Sequence, residues 1–353
     1  MYGFTPIERW LAVRLSLAAS SVIRWTGVLQ VSLSGSKSIR AGKIVSRPHT
    51  NRKEAMIRLN SRFNGLIFAV LALLLFAAAN ACGLGAKQEG KGKTESKNWT
   101  LVWSDEFNGP DGSMPDPGKW TIVKGGSGYG NRELEYYTDR PANLHVEKGN
   151  LVITARKEDY TGADGVKKEY TSARLETAGH FQEQYGRIEA RIKAPKGQGI
   201  WSAFWMLGSN FDKIEWPNCG EIDIMENIGS EPAKIHGSLH GPGYSGGSPL
   251  SAVFALPNQA QFSDDFHVFA IEWGPQIIRF YVDNILYKTQ TANSVPPNRH
   301  WAFDHPFYLV MNVAVGGYWP GNPDSTTSFP TNMLVDYVRV YKLKDDHREK
   351  DER

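Results

Sequence analysis

Residues 99–345 alternate between apolar and polar positions in short runs, and turn-forming residues separate the runs. Residues 185–195 give the clearest case, because Ile188, Ala190 and Ile192 alternate with charged side chains. Similar runs occur at residues 144–155 around a Gly149-Asn150 turn, at 266–289 as three segments, and at 334–343. Alternation at every second residue is typical of strands with one buried face. The pattern, which contains no long amphipathic helix, predicts an all-β sandwich.

One predicted strand carries three carboxylates within six residues, Glu221, Asp223 and Glu226. Glu221 and Asp223 are two residues apart and share a face, whereas an offset of five places Glu226 on the buried side. An unpaired carboxylate there would cost several kcal/mol. One extra residue in the strand restores the parity, so we predict a β-bulge near Met225.

Three acids on one face suit more than one kind of site. Like charges a few ångströms apart push their pKa values apart, which provides the acid and the nucleophile of a retaining glycosidase. The alternatives are a calcium site, which three carboxylates also suit, and a solvated acidic strand.

Tryptophans flank the acids, with Trp201, Trp205 and Trp216 upstream and Trp319 in a later glycine-rich turn. Aromatic faces stack on the C–H faces of sugar rings, so the cluster favours a carbohydrate groove, although any single tryptophan could belong to the core.

Charge is distributed unevenly along the 353 residues. Residues 1–81 carry 11 Lys and Arg against 2 Asp and Glu, whereas the remainder carries 29 against 35. The mildly acidic remainder has no basic stripe, so nucleic acid is not an expected partner. Two cysteines, Cys82 and Cys219, exclude a disulfide framework, and we interpret Cys219 as a packing residue.

The N-terminal third has the features of a targeting segment. Residues 66–79 are uncharged and apolar, Arg58 and Arg62 precede them, and small residues lead to Cys82. This order predicts a signal peptide over 56–82, resembling a bacterial lipoprotein signal with Cys82 as the lipidated residue. Simple secretion is the alternative. Residues 1–55 are expected to be a non-native or disordered extension, 83–98 a flexible linker and 346–353 a charged tail.

The chain from Trp99 to Leu343 resembles glycoside hydrolase family 16, most closely its bacterial laminarinases, which are endo-β-1,3-glucanases. The matching segments occur in the expected order at residues 103–107, 129–131, 172–174, 201–208, 220–229, 236–240 and 316–321. The resemblance implies a concanavalin A-like β-jelly roll with a concave substrate groove. The chain differs from the family pattern at Ser202, where proline is usual, and at Tyr318, where asparagine is usual next to the tryptophan, Trp319.

The resemblance also implies roles for particular residues. Glu221 is expected to be the nucleophile, Glu226 the acid/base and Asp223 the assisting acid. We expect substrate contacts from Asn131, Arg174, Trp201, Trp205, Trp216, His240 and Trp319. For Arg174 the alternative is an ion pair with Glu176 or Glu189, and for His240 it is a structural turn position.

The same resemblance implies a structural calcium ion held by Glu106, the Gly149 carbonyl and Asp336, with no cofactor for catalysis. The expected protein is a monomeric, secreted or surface-anchored hydrolase of internal β-1,3 bonds in laminarin-type glucans. Two alternatives remain open. One is a β-1,3-1,4-glucanase with the same mechanism, and the other is a noncatalytic β-glucan-binding protein.

Overall fold

The computed structural model describes residues 99–344. The expected extension 1–55, signal segment 56–82 with Cys82, linker 83–98 and tail 346–353 lie outside the described residues. Over the described range, no helix has the length and apolar character that a membrane crossing requires.

Residues 99–344 form strands joined by turns and two short 3₁₀ helices, and they contain no α-helix. The strands are β1 (Trp99–Asp105), β2 (Thr121–Val123), β3 (Glu135–Tyr137), β4 (Leu144–Glu147), β5 (Asn150–Thr161), β6 (Lys167–Ser172), β7 (Arg174–Glu176), β8 (Gly186–Lys193), β9 (Ile200–Gly208), β10 (Glu221–Ile228), β11 (Lys234–His240), β12 (Leu250–Ala255), β13 (His267–Gly274), β14 (Ile277–Val282), β15 (Ile285–Thr291), β16 (Phe307–Val315) and β17 (Thr331–Leu343). The 3₁₀ helices are η1 (Pro257–Gln259) and η2 (Ala292–Ser294).

The strands form two sheets. The larger has ten strands in the order β15-β14-β13-β8-β17-β5-β6-β3, with β1 beside β17 and β4 beside β5. The smaller has seven strands in the order β12-β11-β10-β9-β16-β7-β2. Pairing is antiparallel except between β3 and β6. The predicted all-β sandwich is confirmed.

Apolar residues from both sheets form one buried cluster between them. Ile188 and Ile192 contribute from β8, while Phe204, Ile222 and Met311 contribute from β9, β10 and β16, and all five are fully buried. Burying a side chain of this size contributes roughly 1.5–3 kcal/mol. Alternate residues of the seven-stranded sheet therefore point away from the core, onto an outer surface that we call the acidic face because it carries Glu221.

The strand predictions agree with the structure except at one turn. The turn between β4 and β5 is centred on Lys148 and Gly149, whose φ angles are +52° and +71°. Asn150 already belongs to β5. The predicted Gly149-Asn150 turn is therefore one residue late.

Candidate active site

A β-bulge in β10 brings the three acids to the acidic face. Asp223 pairs with Trp205 of β9, and the next pair is Met225 with Phe204, so Ile224 is the extra residue. On the β11 side, Asp223 pairs with Ser238 and Glu226 pairs with His236. The two acids are three residues apart in β10, but their partners are only two residues apart in β11. The predicted bulge is confirmed, and it returns Glu226 to the face that Asp223 occupies.

Neighbouring strands extend the acidic face in rows of directly paired residues. Glu221 pairs with His240, Asp223 with Ser238, and Glu226 with His236 of β11. Two of the acids are buried, since Asp223 is 3% and Glu226 8% exposed, whereas the acids of a solvated strand would be largely exposed. The alternative of a bland, solvated acidic strand is therefore wrong.

Glu226 accepts hydrogen bonds from two neighbours. The Trp201 indole N–H lies 3.2 Å from its Oε1, and the Ser238 hydroxyl lies 3.5 Å from its Oε2. The carboxyl is thus held from the β9 side and from the β11 side at once, which fixes its position next to the other two acids.

His240 contacts the first two acids. Its Nε2 lies 3.7 Å from Glu221 Oε1 and 3.1 Å from Asp223 Oδ2, while its Nδ1 accepts the backbone N–H of Gly246. In a neutral imidazole the nitrogen that accepts has no proton, so the proton is on Nε2 and faces the acids.

The same three side chains place possible metal-ligand atoms within 4.8 Å of one another. Binding a cation would require a free lone pair on His240 Nε2, but this nitrogen carries the proton when Nδ1 accepts from Gly246. The group therefore suits proton chemistry better than it suits a metal ion.

Burial dominates the electrostatics of the acids. It raises the pKa of Glu221 to about 8, with a further rise from the charge of Asp223, while His240, Arg174 and a hydrogen bond from Trp216 lower it. Burial also raises the pKa values of Asp223 and Glu226 well above their usual range. The acids also raise one another's pKa values, since Asp223 acts on Glu221, and both Asp223 and Glu221 act on Glu226.

The predicted aromatic residues divide between the two ends of this cluster. Trp201 and Trp319 pack edge to face with centroids 5.4 Å apart, and Trp319 is 40% exposed. Trp216 lies at the other end, 41% exposed, with its ring 6.1 Å from His240. Trp205 lies between them opposite Asp223.

Arg174 and Asn131 lie to one side of Trp205. The Arg174 guanidinium stacks over the rings of Trp205 and Tyr129, at 4.9 and 5.3 Å, and lies 3.7 Å from Glu176. Asn131 accepts the backbone N–H of Tyr318 through its carbonyl, which joins it to the loop that carries Trp319. The suspected ion pair of Arg174 is therefore present with Glu176.

The positions predicted for calcium lie elsewhere, just after β1 and β4 and in the middle of β17. Both Glu106 oxygens accept hydrogen bonds from Arg339, at 2.9 and 2.7 Å, and Asp336 Oδ2 accepts one from Arg191 at 2.7 Å. Arginine already supplies the positive charge at both carboxylates. The full predicted ligand set therefore does not fit calcium in this arrangement.

Sequence reasoning gave no role to several polar residues of the acidic face. Ser238 and His236 alternate with His240 along β11, which was a readable signal. Asn312 is the one polar residue of the otherwise apolar β16, and its Oδ1 accepts the Trp205 indole N–H at 2.8 Å. Sequence spacing could not predict the contact between Asn312 and Trp205, because the two residues are 107 positions apart.

Comparisons with known proteins identify the family. The family model for glycosyl hydrolases family 16 matches residues 132–339. A beta-glucanase of Rhodothermus marinus is 43% identical over 281 residues, which cover 77% of this chain and 93% of the relative. The chain belongs to glycosyl hydrolase family 16.

Solved structures of the family resemble the fold closely. An endo-beta-1,3-glucanase of Pyrococcus furiosus is 50% identical, with a TM-score of 0.68, covering 71% of this chain and 97% of that one. The laminarinase catalytic domain of Thermotoga maritima is 49% identical, with a TM-score of 0.67, covering 70% and 100%. The β-jelly roll expected from the family resemblance is confirmed.

Proposed function

We propose that this family 16 protein is a retaining endo-β-1,3-glucanase that hydrolyses laminarin-type glucans. The observation that carries the proposal is the bulge at Ile224, which sets Glu226 beside Glu221 and Asp223 on one face. A retaining glycosidase needs two carboxyls close together, one ionised and one protonated.

In the first step Glu226 supplies the acid and Glu221 the nucleophile. Glu226 keeps its proton because burial raises its pKa, and it donates that proton to the glycosidic oxygen. Glu221 reacts in its ionised form, which is a minor fraction at neutral pH because its pKa is about 8. His240, Arg174 and Trp216 favour this form, and the carboxylate attacks the anomeric carbon. The glycosidic C–O bond breaks, and the leaving sugar departs with the proton.

In the second step Glu226 acts as a base. Its carboxylate removes a proton from water, and the resulting hydroxyl attacks the anomeric carbon from the side that the leaving sugar vacated. The bond to Glu221 breaks, and the product has the original configuration. No cofactor takes part in either step.

Asp223 and His240 maintain the unequal protonation of the pair. His240 Nε2 lies 3.1 Å from Asp223 Oδ2 and 3.7 Å from Glu221 Oε1, and its charge favours the ionised form of Glu221. The Asp223 charge raises the pKa of Glu226, which favours a proton on the acid. We assign both residues to positioning and electrostatic support.

Sugar rings would contact the aromatic side chains around the acids. We assign this role to Trp201, Trp205, Trp216 and Trp319, because the first two lie beside Asp223 and Glu226 and the other two are about 40% exposed. Arg174 and Asn131 extend the surface on the Trp205 side.

The direct test compares wild-type protein with Glu221→Gln and Glu226→Gln on laminarin, lichenan, agarose and cellulose. We expect hydrolysis of laminarin, with product sizes that indicate internal cleavage, and turnover reduced by orders of magnitude in both variants. Binding of laminarin without hydrolysis by the wild type would instead favour a noncatalytic glucan-binding protein.

The rate on lichenan should be compared with the rate on laminarin, because Tyr318 differs from the asparagine that is usual in the family. Its side chain is 66% exposed beside Trp319, and Arg132 stacks over its ring at 5.0 Å. An aromatic ring in that position would change the contact with a sugar. Faster cleavage of lichenan than of laminarin would favour the β-1,3-1,4-glucanase alternative.

We propose a structural calcium ion with fewer protein ligands than the family resemblance implies. The Gly149 carbonyl and Asp336 Oδ1 remain as candidate ligands, since Arg339 occupies both Glu106 oxygens whereas Arg191 occupies only Asp336 Oδ2. Calcium added after a chelator should raise the melting temperature. A melting temperature that changes neither with the chelator nor with calcium would contradict the calcium site.

The anchor and location are proposed from sequence alone. Lipidation of Cys82 after cleavage of the signal would hold a monomeric enzyme at the cell surface, with residues 83–98 as a tether. Mass spectrometry of the N-terminal peptide from the native bacterium should find diacylglycerol on Cys82. An unmodified mature N-terminus would favour simple secretion, and a peptide from residues 1–55 in the native protein would refute the expectation that this segment is a non-native extension.

A further inference from the structure

Two glutamates near the aromatic surface have no part in the proposed chemistry. Glu135 is fully buried; its Oε2 accepts the Val315 N–H at 2.6 Å, and its Oε1 is buried without a donor. Glu133 is 6% exposed and accepts hydrogen bonds from the Tyr137 hydroxyl at 3.0 Å and from the Asn131 amide at 3.1 Å. Among residues 99–344, no lysine or arginine forms an ion pair with either carboxyl.

A chain of hydrogen bonds joins Glu133 to the active-site surface. The Trp205 indole donates to Asn312 Oδ1 at 2.8 Å, and Asn312 Nδ2 donates to the Tyr137 hydroxyl at 3.1 Å. The Tyr137 hydroxyl in turn donates to Glu133. Because each donor has one acceptor in this series, the position of Glu133 determines how the Trp205 ring is held opposite Asp223.

Glu135 braces the loop that carries Trp319. Its bond to the Val315 N–H is accompanied by one from Leu134 N–H to the Val315 carbonyl, at 2.7 Å. The Tyr318 N–H also donates to the Asn131 carbonyl at 2.9 Å. The segment that contains the two glutamates therefore contacts both Trp205, through the series of bonds, and the Trp319 loop.

The charges around the pair permit one negative charge more readily than two. Arg174 lies over Trp205, and Lys168 donates to the Glu133 backbone carbonyl at 2.9 Å. The neighbouring phenols are Tyr137, which donates to Glu133, and Tyr129, whose pKa is raised by burial and by both carboxylates. Burial and the neighbouring Glu133 charge raise the pKa of Glu135 well above its usual range. A hydrogen bond between the two carboxyls is a further cause of this rise, and two carboxyls can form one only when one of them carries a proton.

We propose that Glu133 and Glu135 form a positioning pair that holds one proton, with Glu135 donating to an ionised Glu133 that orients Trp205 through Tyr137 and Asn312. The shared proton provides the partner that the buried Glu135 carboxyl otherwise lacks. Loss of the proton at alkaline pH would place a second negative charge beside the ionised Glu133. Glucan affinity would then fall. This consequence, unlike the shared proton itself, rests on the proposed function.

Infrared spectroscopy tests the proton directly. Wild type minus Glu135→Gln difference spectra at neutral pH should contain a carboxylic-acid C=O band, because the variant loses a protonated carboxyl. Glu189→Gln is the matched control, since buried Glu189 is ion-paired with Arg187 at 2.8 Å and should contribute no such band. If Glu135→Gln does not fold, Glu133→Gln should keep the band. Absence of the band from the wild type minus Glu135→Gln spectrum, or its loss in Glu133→Gln, overturns the proposal.

Binding tests the positioning role. In the inactive Glu226→Gln background, the Kd for a laminarin oligosaccharide should rise about tenfold between neutral and alkaline pH, equivalent to about 1.4 kcal/mol. Adding Glu135→Gln should reduce that dependence to the part that ionisation of Glu221 contributes, because the amide still donates to Glu133 and cannot ionise. An equal pH dependence in both proteins would contradict positioning. If no protein binds but the infrared band behaves as expected, the proposed function fails and the shared proton stands.

Discussion

Replacing Glu221 by glutamine should make the protein more stable while removing its activity. Burial raises the pKa of this carboxyl from 4.5 to about 8. Above pH 4.5 the unfolded chain releases this proton and the folded protein keeps it, so the free energy of unfolding falls as the pH rises to about 8. Glutamine does not titrate, so the variant escapes this loss.

The size of the effect follows from the shift. One pKa unit corresponds to about 1.36 kcal/mol, so the carboxyl costs at most roughly 3 kcal/mol at pH 7. The Glu221 side chain keeps 18% of its exposure, which reduces the expected gain to about 2 kcal/mol. For a domain of this size that gain is a rise of about 4–8 °C in melting temperature.

The assay is thermal or urea unfolding of both proteins from pH 4 to pH 9. Lost contacts to Trp216 and His240 add a constant offset, so the diagnostic quantity is how the difference between variant and wild type changes with pH. It should be smallest at pH 4 and grow until about pH 8. Glu189→Gln, with its carboxylate paired to Arg187, is the control without this trend. A difference that stays constant or shrinks with pH would refute the reasoning.

Three further substitutions test separate parts of the site. Trp201→Phe removes a hydrogen bond that lowers the pKa of Glu226, so the alkaline limb of the kcat/KM profile should move to higher pH; an unmoved limb counts against Glu226 as the acid. Ile222→Ala, at a fully buried core position, should lower the free energy of unfolding by about 2–5 kcal/mol in urea titrations, and a loss below about 1 kcal/mol would contradict its placement. Gly237→Ala would bring a Cβ against the Tyr287 hydroxyl beneath β11, so the free energy of unfolding should fall by about 1–3 kcal/mol, and kcat should also fall. Wild-type values for both quantities would show that β11 accommodates the added Cβ.

The fold and the central cluster were accessible from sequence because both depend on short-range alternation. Parity alone placed a bulge near Met225, and the register places it at Ile224 and Met225. The outcome for His240 was harder to foresee. It was expected to contact substrate or to occupy a turn, but the pairing of β10 with β11 sets it opposite Glu221, and that register depends on the connection between the two strands.

Long-range partners account for what the sequence could not indicate. Glu106 looked available to calcium, yet Arg339 arrives from a strand 233 residues later and occupies both oxygens. The buried chain from Trp205 to Glu133 likewise joins segments that are far apart in sequence. Spacing within one strand contains no information about such contacts, because they depend on which strands become neighbours.

The measurement that tests the central claim most directly is covalent trapping of the glycosyl-enzyme. Glu226→Gln protein would be incubated with an activated 2-deoxy-2-fluoro-β-laminaribioside, digested with protease and mapped by mass spectrometry. The account predicts a single disaccharide adduct, on Glu221. An adduct on Asp223, or release of inverted product without any adduct, would contradict the pairing of Glu221 and Glu226 across the bulge.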